Sequence, residues 1–198
     1  MLADHATYHT NFDPGRAGSV VGEATPVYMY WYAAPRRVWE YNSEMKWILL
    51  LRNPIERAYS HWNMERSRGA ECLPFLEALK RERERCRAAL PEQHRVFSYA
   101  DRGFYSEQIR RLWHLFPAAQ TLILKSEELQ GSPAETLDRV CDFLGVGEMP
   151  AATYEMKHVG NYRSAMSDVE REYLKDVFAV EIGALEKLLG WDCGDWRE

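Results

Sequence analysis

Arg52 and Ser60 are the residues whose types and spacing suit chemistry on an anion. They stand in the stretch KWILLLRNPIERAYSHWNME, residues 46–65. A guanidinium makes charge-assisted, often bidentate bonds to a phosphate-like oxyanion, and a serine hydroxyl adds a neutral donor. The apolar run Trp47-Ile48-Leu49-Leu50-Leu51 ahead of the arginine reads as a strand buried on both faces. Asn53 suits a helix cap and Pro54 the first helical position, after which Ile55, Tyr59 and Trp62 recur at helical spacing. A helix start offers unpaired N–H groups and the positive end of a dipole, so a strand that ends on an arginine and turns into a helix can form an anion site. Ser60 lies well past Pro54, about 9 Å further along the axis at about 1.5 Å per residue. An anion touched by both residues would have to lie beside the helix, not at its tip, with Arg52 folded along it. The plainer alternatives are a salt bridge at the strand end for Arg52 and a small residue at a helix contact for Ser60.

Other residues invite the same question. The loop Gly15-Arg16-Ala17-Gly18-Ser19 has no lysine in the phosphate-loop arrangement and precedes an apparent strand where a phosphate loop would follow one, so it reads as an ordinary connection. The run Lys80-Arg81-Glu82-Arg83-Glu84-Arg85-Cys86-Arg87 leaves a basic face. It is either a solvated helix with internal ion pairs or a rim that attracts an anionic substrate. The four cysteines, Cys72, Cys86, Cys141 and Cys193, are widely separated without a CxxC pair, which reads as free thiols in a reducing cytoplasm and no metal site.

The elements that position these groups follow from pattern. Val20 to Thr25 reads as a short strand ended by Pro26, and residues 33–40 as a helix. A helix runs from the Leu73-Pro74-Phe75 start to about Leu90, another from Tyr105 to Phe116, where Pro117 stops it. Residues 120–125 form a second buried strand, and Ser132-Pro133 caps and opens a helix that Gly145 closes. Residues 147–166 are a polar loop, and the last helix starts at Ser167, with Glu170 completing a capping box, and stops at Gly190. Strands alternating with helices imply an α/β domain with a parallel sheet covered on both sides. The chain of 198 residues, 46% hydrophobic and 28% charged, with no repeat or linker, fits one domain over 1–198. A net charge of −5 argues against a general nucleic-acid binder, and no apolar run approaches the ~18 residues of a membrane helix.

Several blocks together resemble the sulfotransferases that use 3′-phosphoadenosine 5′-phosphosulfate (PAPS). The family pattern of an apolar strand followed by Arg-x-Pro-x-x-Arg-x-x-Ser stands here as Arg52-Asn53-Pro54-Ile55-Glu56-Arg57-Ala58-Tyr59-Ser60. Gly22-Glu23-Ala24-Thr25-Pro26-Val27-Tyr28 resembles the strand before it. Tyr99 to Gln108, with Gly103 and Tyr105, resembles the Y-x-x-x-G-x-Y-x-x-Q block after it, and QTLILKSEEL and the tail Leu188-Leu189-Gly190-Trp191 follow in order. The resemblance covers about residues 20–196 and lies nearest the heparan-sulfate-type and bacterial branch. It implies a P-loop-NTPase-like sulfotransferase fold, a parallel sheet flanked by helices. It also implies transfer of a sulfuryl group from PAPS, without a metal, to an acceptor hydroxyl or amine on an anionic saccharide or small alcohol. Nucleic acid and membrane are not expected partners.

By the same resemblance Arg52 and Ser60 hold the donor's 3′-phosphate, and Gly160, Asn161 and Tyr162 close over the nucleotide, where His158 stands in place of the family's basic residue. Arg57 is expected to be structural, Tyr105 to pack the core, with support of the nucleotide pocket as the alternative, and Glu23 to orient substrate or bond the backbone. The family's first strand, its Lys-x-Gly-Thr-(Thr/Ser) phosphosulfate loop and the Lys-Glu segment that bears the catalytic base would lie upstream of about Tyr8. The sequence contains neither motif, so the expectation is an N-terminally shortened member whose catalytic residues are unknown. His5 and His9 are poor substitutes for the base, with no motif around them. The alternative is a catalytically incomplete, PAP-binding module.

Overall fold

The protein is described from a computed structural model that covers residues 5–12, 19–147 and 164–198. In chain order these form α1 (His5–His9), α2 (Ala33–Tyr41), β1 (Trp47–Leu51), α3 (Pro54–Ser67), α4 (Phe75–Ala88), α5 (Tyr105–Trp113), β2 (Thr121–Lys125), α6 (Ser126–Gly131), α7 (Pro133–Leu144) and α8 (Asp168–Leu189). β1 and β2 pair in parallel, Trp47 opposite Thr121 through Leu51 opposite Lys125. Parallel partners need a long crossover, and here it is made by α3, α4 and α5.

The core sits on one side of this sheet. Trp47, Leu49 and Leu51 of β1 are buried against Ile55, Tyr59, Ile109, Leu112, Phe116 and the α8 residues Leu174, Phe178, Ile182 and Leu185. α8 is the long strut of this packing. Its start carries the expected capping box, with Ser167 and Glu170 bonding each other's backbone, and Gly190 closes it in the left-handed conformation. Gly145 ends α7 the same way. A residue with a Cβ adopts that conformation at a cost, which is why glycine stands at both ends.

Three expectations are corrected. Residues 19–25 form no strand; they run extended into the turn over 26–30. β1 is not buried on both faces: Ile48 and Leu50 remain 42% and 49% exposed, because the covering helices of the described residues pack on the Trp47–Leu49–Leu51 side. Ser132 occupies the cap position of α7, but its side chain makes no cap bond; its carbonyl instead accepts from the N–H and hydroxyl of Thr136. The short helix α6 was not legible, since SEELQG carries no periodic apolar face.

Candidate donor-phosphate site

β1 delivers Arg52 and α3 delivers Ser60. Between them Asn53 caps α3 as its type predicts: its side-chain oxygen accepts from Ile55 N at 2.9 Å, and Pro54 takes the first helical position. This arrangement uses up most of the helix tip. Pro54 has no N–H, the Ile55 N–H is bonded by the cap, and the Arg57 N–H returns to the Asn53 carbonyl at 2.9 Å. The Asn53 N–H is itself taken by the Glu127 carboxylate at 3.2 Å. Two carboxylates, Glu127 and Glu56, stand at this end of the helix, Glu56 tied to Arg171 of α8 at 2.8 Å. The tip is therefore poorly suited to another anion, and an anion beside the helix fits the geometry better.

The flank is furnished differently. The Arg52 guanidinium and the Ser60 hydroxyl are both half-buried, and neither has a hydrogen-bond or ion-pair partner among the described residues. Arg52 thus has no salt-bridge partner among the described residues, while a half-buried Ser60 without a hydrogen bond is equally what a small residue at a helix contact would show. The Arg52 backbone, by contrast, is pinned: the buried Tyr105 hydroxyl donates to its carbonyl at 3.1 Å. Tyr105 packs the core as expected and also sets the position from which the guanidinium departs. One residue before Ser60, the Tyr59 hydroxyl donates to the Ser164 carbonyl at 2.9 Å, so the chain between α7 and α8 is anchored beside this flank. Gly160, Asn161 and Tyr162 lie outside the described residues, as does the 15–18 loop.

Arg57, one turn into α3, points inward. Its guanidinium donates to the Tyr99 carbonyl, as a structural role requires. Burial pushes its pKa down, opposed by the neighbouring Tyr105 and Glu82. Farther along the same face, both ring nitrogens of the buried His61 lack a hydrogen bond among the described residues. Burial, then the Arg102 and Arg57 charges, lower its pKa to about 3. The 3.7 Å approach of Glu65 to His61 is accordingly not an ion pair at neutral pH. Glu23 lies beside Tyr8 and Tyr28, and the Tyr28 hydroxyl is held un-ionised first by that carboxylate. His9 bonds the Tyr41 hydroxyl at 2.6 Å, and His5 packs edge-on to the Tyr41 ring. Neither histidine is placed with Arg52 by these contacts.

Sequence reasoning missed Glu127 and the bonding partner of Tyr105. The two bonds join residues 74 and 53 apart in the chain, and no local pattern announces such pairings. Among the described residues no cluster of three or more His, Cys, Asp or Glu could hold a metal ion, and the four cysteines are free.

A parallel pair whose first strand is followed by an arginine and a proline-started helix carrying a serine is the arrangement to compare with known proteins. Residues 27–176 match the sulfotransferase domain family, and the chain belongs to that family. The crystal structure of a sulfotransferase from Alicyclobacillus acidocaldarius superposes with a TM-score of 0.83 at 29% identity, over 98% of this chain and 74% of that one. The α/β sulfotransferase fold is thereby shown. Heparan sulfate glucosamine 3-O-sulfotransferase 6 of Mus musculus is 31% identical over 129 residues, 65% of this chain and 36% of that protein. Bifunctional heparan sulfate N-deacetylase/N-sulfotransferase 1 of Xenopus laevis is 34% identical over 116 residues, 57% of this chain and 13% of its own length. The chain thus spans about a third or less of these curated relatives.

Proposed function

We propose that this domain binds PAPS, and PAP as its product, through Arg52 and Ser60, and serves transfer of the sulfuryl group to a hydroxyl or amine of a saccharide. The observation that carries the reading is that Arg52, just after β1, and Ser60, on α3, have no partner among the described residues, with the Arg52 carbonyl held by the Tyr105 hydroxyl. A guanidinium with no ion-pair partner to give up can make charge-assisted bonds to a doubly charged phosphate, which offset the cost of ordering its side chain. Ser60 adds a neutral hydrogen bond farther along the helix, so the two together fit a phosphate lying against the helix side. PAPS supplies the activated sulfuryl group, and the reaction also needs a base for the acceptor's proton and positive groups at the leaving phosphate. The saccharide acceptor is favoured by the heparan sulfate enzymes among the relatives.

A second reading is binding of PAP without transfer. It is favoured by the histidines at positions 5, 9 and 61: His61 is neutral and enclosed, and His9 and His5 are engaged with Tyr41, so none of the three stands free as a base for an acceptor's proton. Two measurements separate the readings. PAP titrated into the protein is expected to bind, and Arg52→Ala to weaken binding by roughly ten- to hundredfold, the loss of a charged hydrogen bond of about 1.5–3 kcal/mol. Ser60→Ala costs less, several-fold for about 1 kcal/mol. Unchanged affinity in Arg52→Ala would remove the central assignment. Incubation with labelled PAPS and a panel of glycans and small alcohols then decides transfer: label on no acceptor, with PAP bound normally, leaves the binding reading alone.

A further inference from the structure

The peptide unit that joins Arg52 to Asn53 has both of its polar groups taken from a distance. Its carbonyl, that of Arg52, accepts from the Tyr105 hydroxyl of α5 at 3.1 Å, and its N–H, that of Asn53, donates to the Glu127 carboxylate of α6 at 3.2 Å. A peptide unit is planar, so holding its C=O and its N–H fixes the whole plane, with the Arg52 Cα in it. On the other side of that Cα the chain is held by the β1 ladder, which runs to Leu51 opposite Lys125. With the backbone fixed before and after Arg52, the direction in which its side chain departs is fixed as well.

Strand register brings Glu127 to this place. Leu51 stands opposite Lys125 at the end of the parallel pair, and the same offset carried two residues on sets Asn53 beside Glu127. Each strand turns there into a helix, β1 into α3 and β2 into α6. The second Glu127 oxygen accepts from the Ser126 hydroxyl at 3.2 Å. Lys125, next but one in the chain, is turned away to the C-terminal segment, where it bonds the Asp192 carbonyl and the Asp195 carboxylate. Glu127 therefore has no cation partner among the described residues. An unpaired carboxylate one residue from an arginine that receives a phosphate repels that phosphate. Against that cost stands its bond to the Asn53 N–H, which is charge-assisted and stronger than one to a neutral acceptor.

We infer that Glu127 is a positioning residue of the donor site: by bonding the Asn53 N–H it fixes, together with Tyr105, the peptide from which the Arg52 guanidinium reaches the donor's phosphate. Binding groups are precise when the backbone that presents them is itself held by hydrogen bonds from behind. The role rests on the assignment of Arg52 to that phosphate; the hold on the turn does not. A carboxylate that only stabilised the turn would act on folding and not through Arg52, and one that acted only by its charge would weaken PAP binding by its presence.

The test uses the whole chain, PAP as the probe, and Glu127→Ala and Glu127→Gln, each alone and combined with Arg52→Ala. Glutamine keeps an acceptor oxygen at the same reach and gives up the charge; alanine gives up both. Glu127→Ala is expected to bind PAP roughly three- to tenfold more weakly than the parent, although it removes a negative charge. Glu127→Gln is expected to bind PAP at least as tightly as the parent, because the bond is kept and the repulsion falls. With Arg52→Ala already in place, neither substitution should weaken PAP binding further. Amide exchange at Asn53, read by NMR without PAP, should be roughly tenfold or more faster in Glu127→Ala and close to the parent's in Glu127→Gln. Glu127→Ala binding PAP like the parent, glutamine losing as much as alanine, or an undiminished loss in the Arg52→Ala background would each overturn the positioning role. Parental exchange at Asn53 in Glu127→Ala would overturn the hold on the turn. Arg52→Ala binding PAP like the parent would instead overturn the donor-site reading and the role with it, while exchange at Asn53 still reports the hold by Glu127.

Discussion

At the scale of single residues, Arg52 and Ser60 matter because they are left over. Most polar side chains on the surrounding elements are used: Asn53 caps α3, Arg57 bonds Tyr99, Glu56 bonds Arg171, and Tyr59 bonds Ser164. Tyr105 shows how a residue outside the site governs it. Its hydroxyl is the donor to the Arg52 carbonyl, so Tyr105→Phe removes one net hydrogen bond of about 1 kcal/mol without opening the core, since the ring stays buried. PAP affinity is expected to fall several-fold in Tyr105→Phe while the unfolding midpoint moves little. An affinity equal to the parent's would deny Tyr105 its positioning role. Arg52 and Ser60 were readable in the sequence because the motif places them at a strand end and on the helix that follows, whereas for Tyr105 the sequence left core packing and pocket support both open and named no partner. Its hydrogen bond joins residues 53 apart.

Helix-scale organisation rests on carboxylates that cap backbone at a distance. Glu181 of α8 accepts from both the N–H and the hydroxyl of Ser106, at 2.6 and 2.8 Å, satisfying the first turn of α5. Glu82 does the same for the 3-10 turn Asp101–Gly103. That turn is also wedged between Pro54 of α3 and Phe178 of α8. A Cβ on Gly103 would lie 2.7 Å from two Phe178 ring atoms and 3.1 Å from the Pro54 Cβ. Gly103→Ala is therefore expected to destabilise the protein by roughly 1–3 kcal/mol through overpacking. Gly131→Ala, with nothing within 4 Å, is expected to be neutral or slightly stabilising. Urea unfolding of both variants checks this; equal midpoints would show that the Pro54–Phe178 contact yields freely. The α3, α4, α5, α7 and α8 boundaries were largely legible from caps and periodicity. The failed strand at residues 20–25 shows the limit of that signal: β-branched residues favour an extended chain, but a ladder needs a neighbour, and these residues have none in the sheet described.

Across the whole molecule, two buried ionisable groups pull stability in opposite directions with pH. His61 has its pKa lowered from 6.5 to about 3, first by burial. Between those values the unfolded chain binds a proton that the folded chain refuses, so stability falls as pH falls. Burial raises Glu82 from 4.5 to about 7 against the two backbone N–H groups. Between those values the folded chain holds a proton that the unfolded chain has lost, so stability falls as pH rises. From pH 4.5 to 6.5 the two slopes oppose each other. His61→Leu is expected to remove the acid-side loss, a slope of up to about 1.4 kcal/mol per pH unit. Glu82→Gln is expected to leave the His61 slope unopposed and steepen the acid-side fall. Urea midpoints measured from pH 4 to 7.5 check both; curves parallel to the parent's would discount both groups. Among the described residues no helix is long and apolar enough to cross a membrane.

What the sequence determined by itself is local and ordered along the chain. The WILLL run, the Arg52-Asn53-Pro54 turn, the capping box at Ser167 and the spacing of Arg52 to Ser60 are all set within one or two turns of backbone, where cap chemistry and side-chain period act directly. Tertiary structure alone decided which groups were left free. It spent the α3 tip on Asn53 and Glu127, exposed Ile48 and Leu50, and sorted the basic run into paired Arg81 and Arg85 and, among the described residues, unpaired Arg83 and Arg87. The reason is that a charge becomes available to a ligand only when no partner elsewhere in the chain reaches it, and such partners meet only when the helices pack.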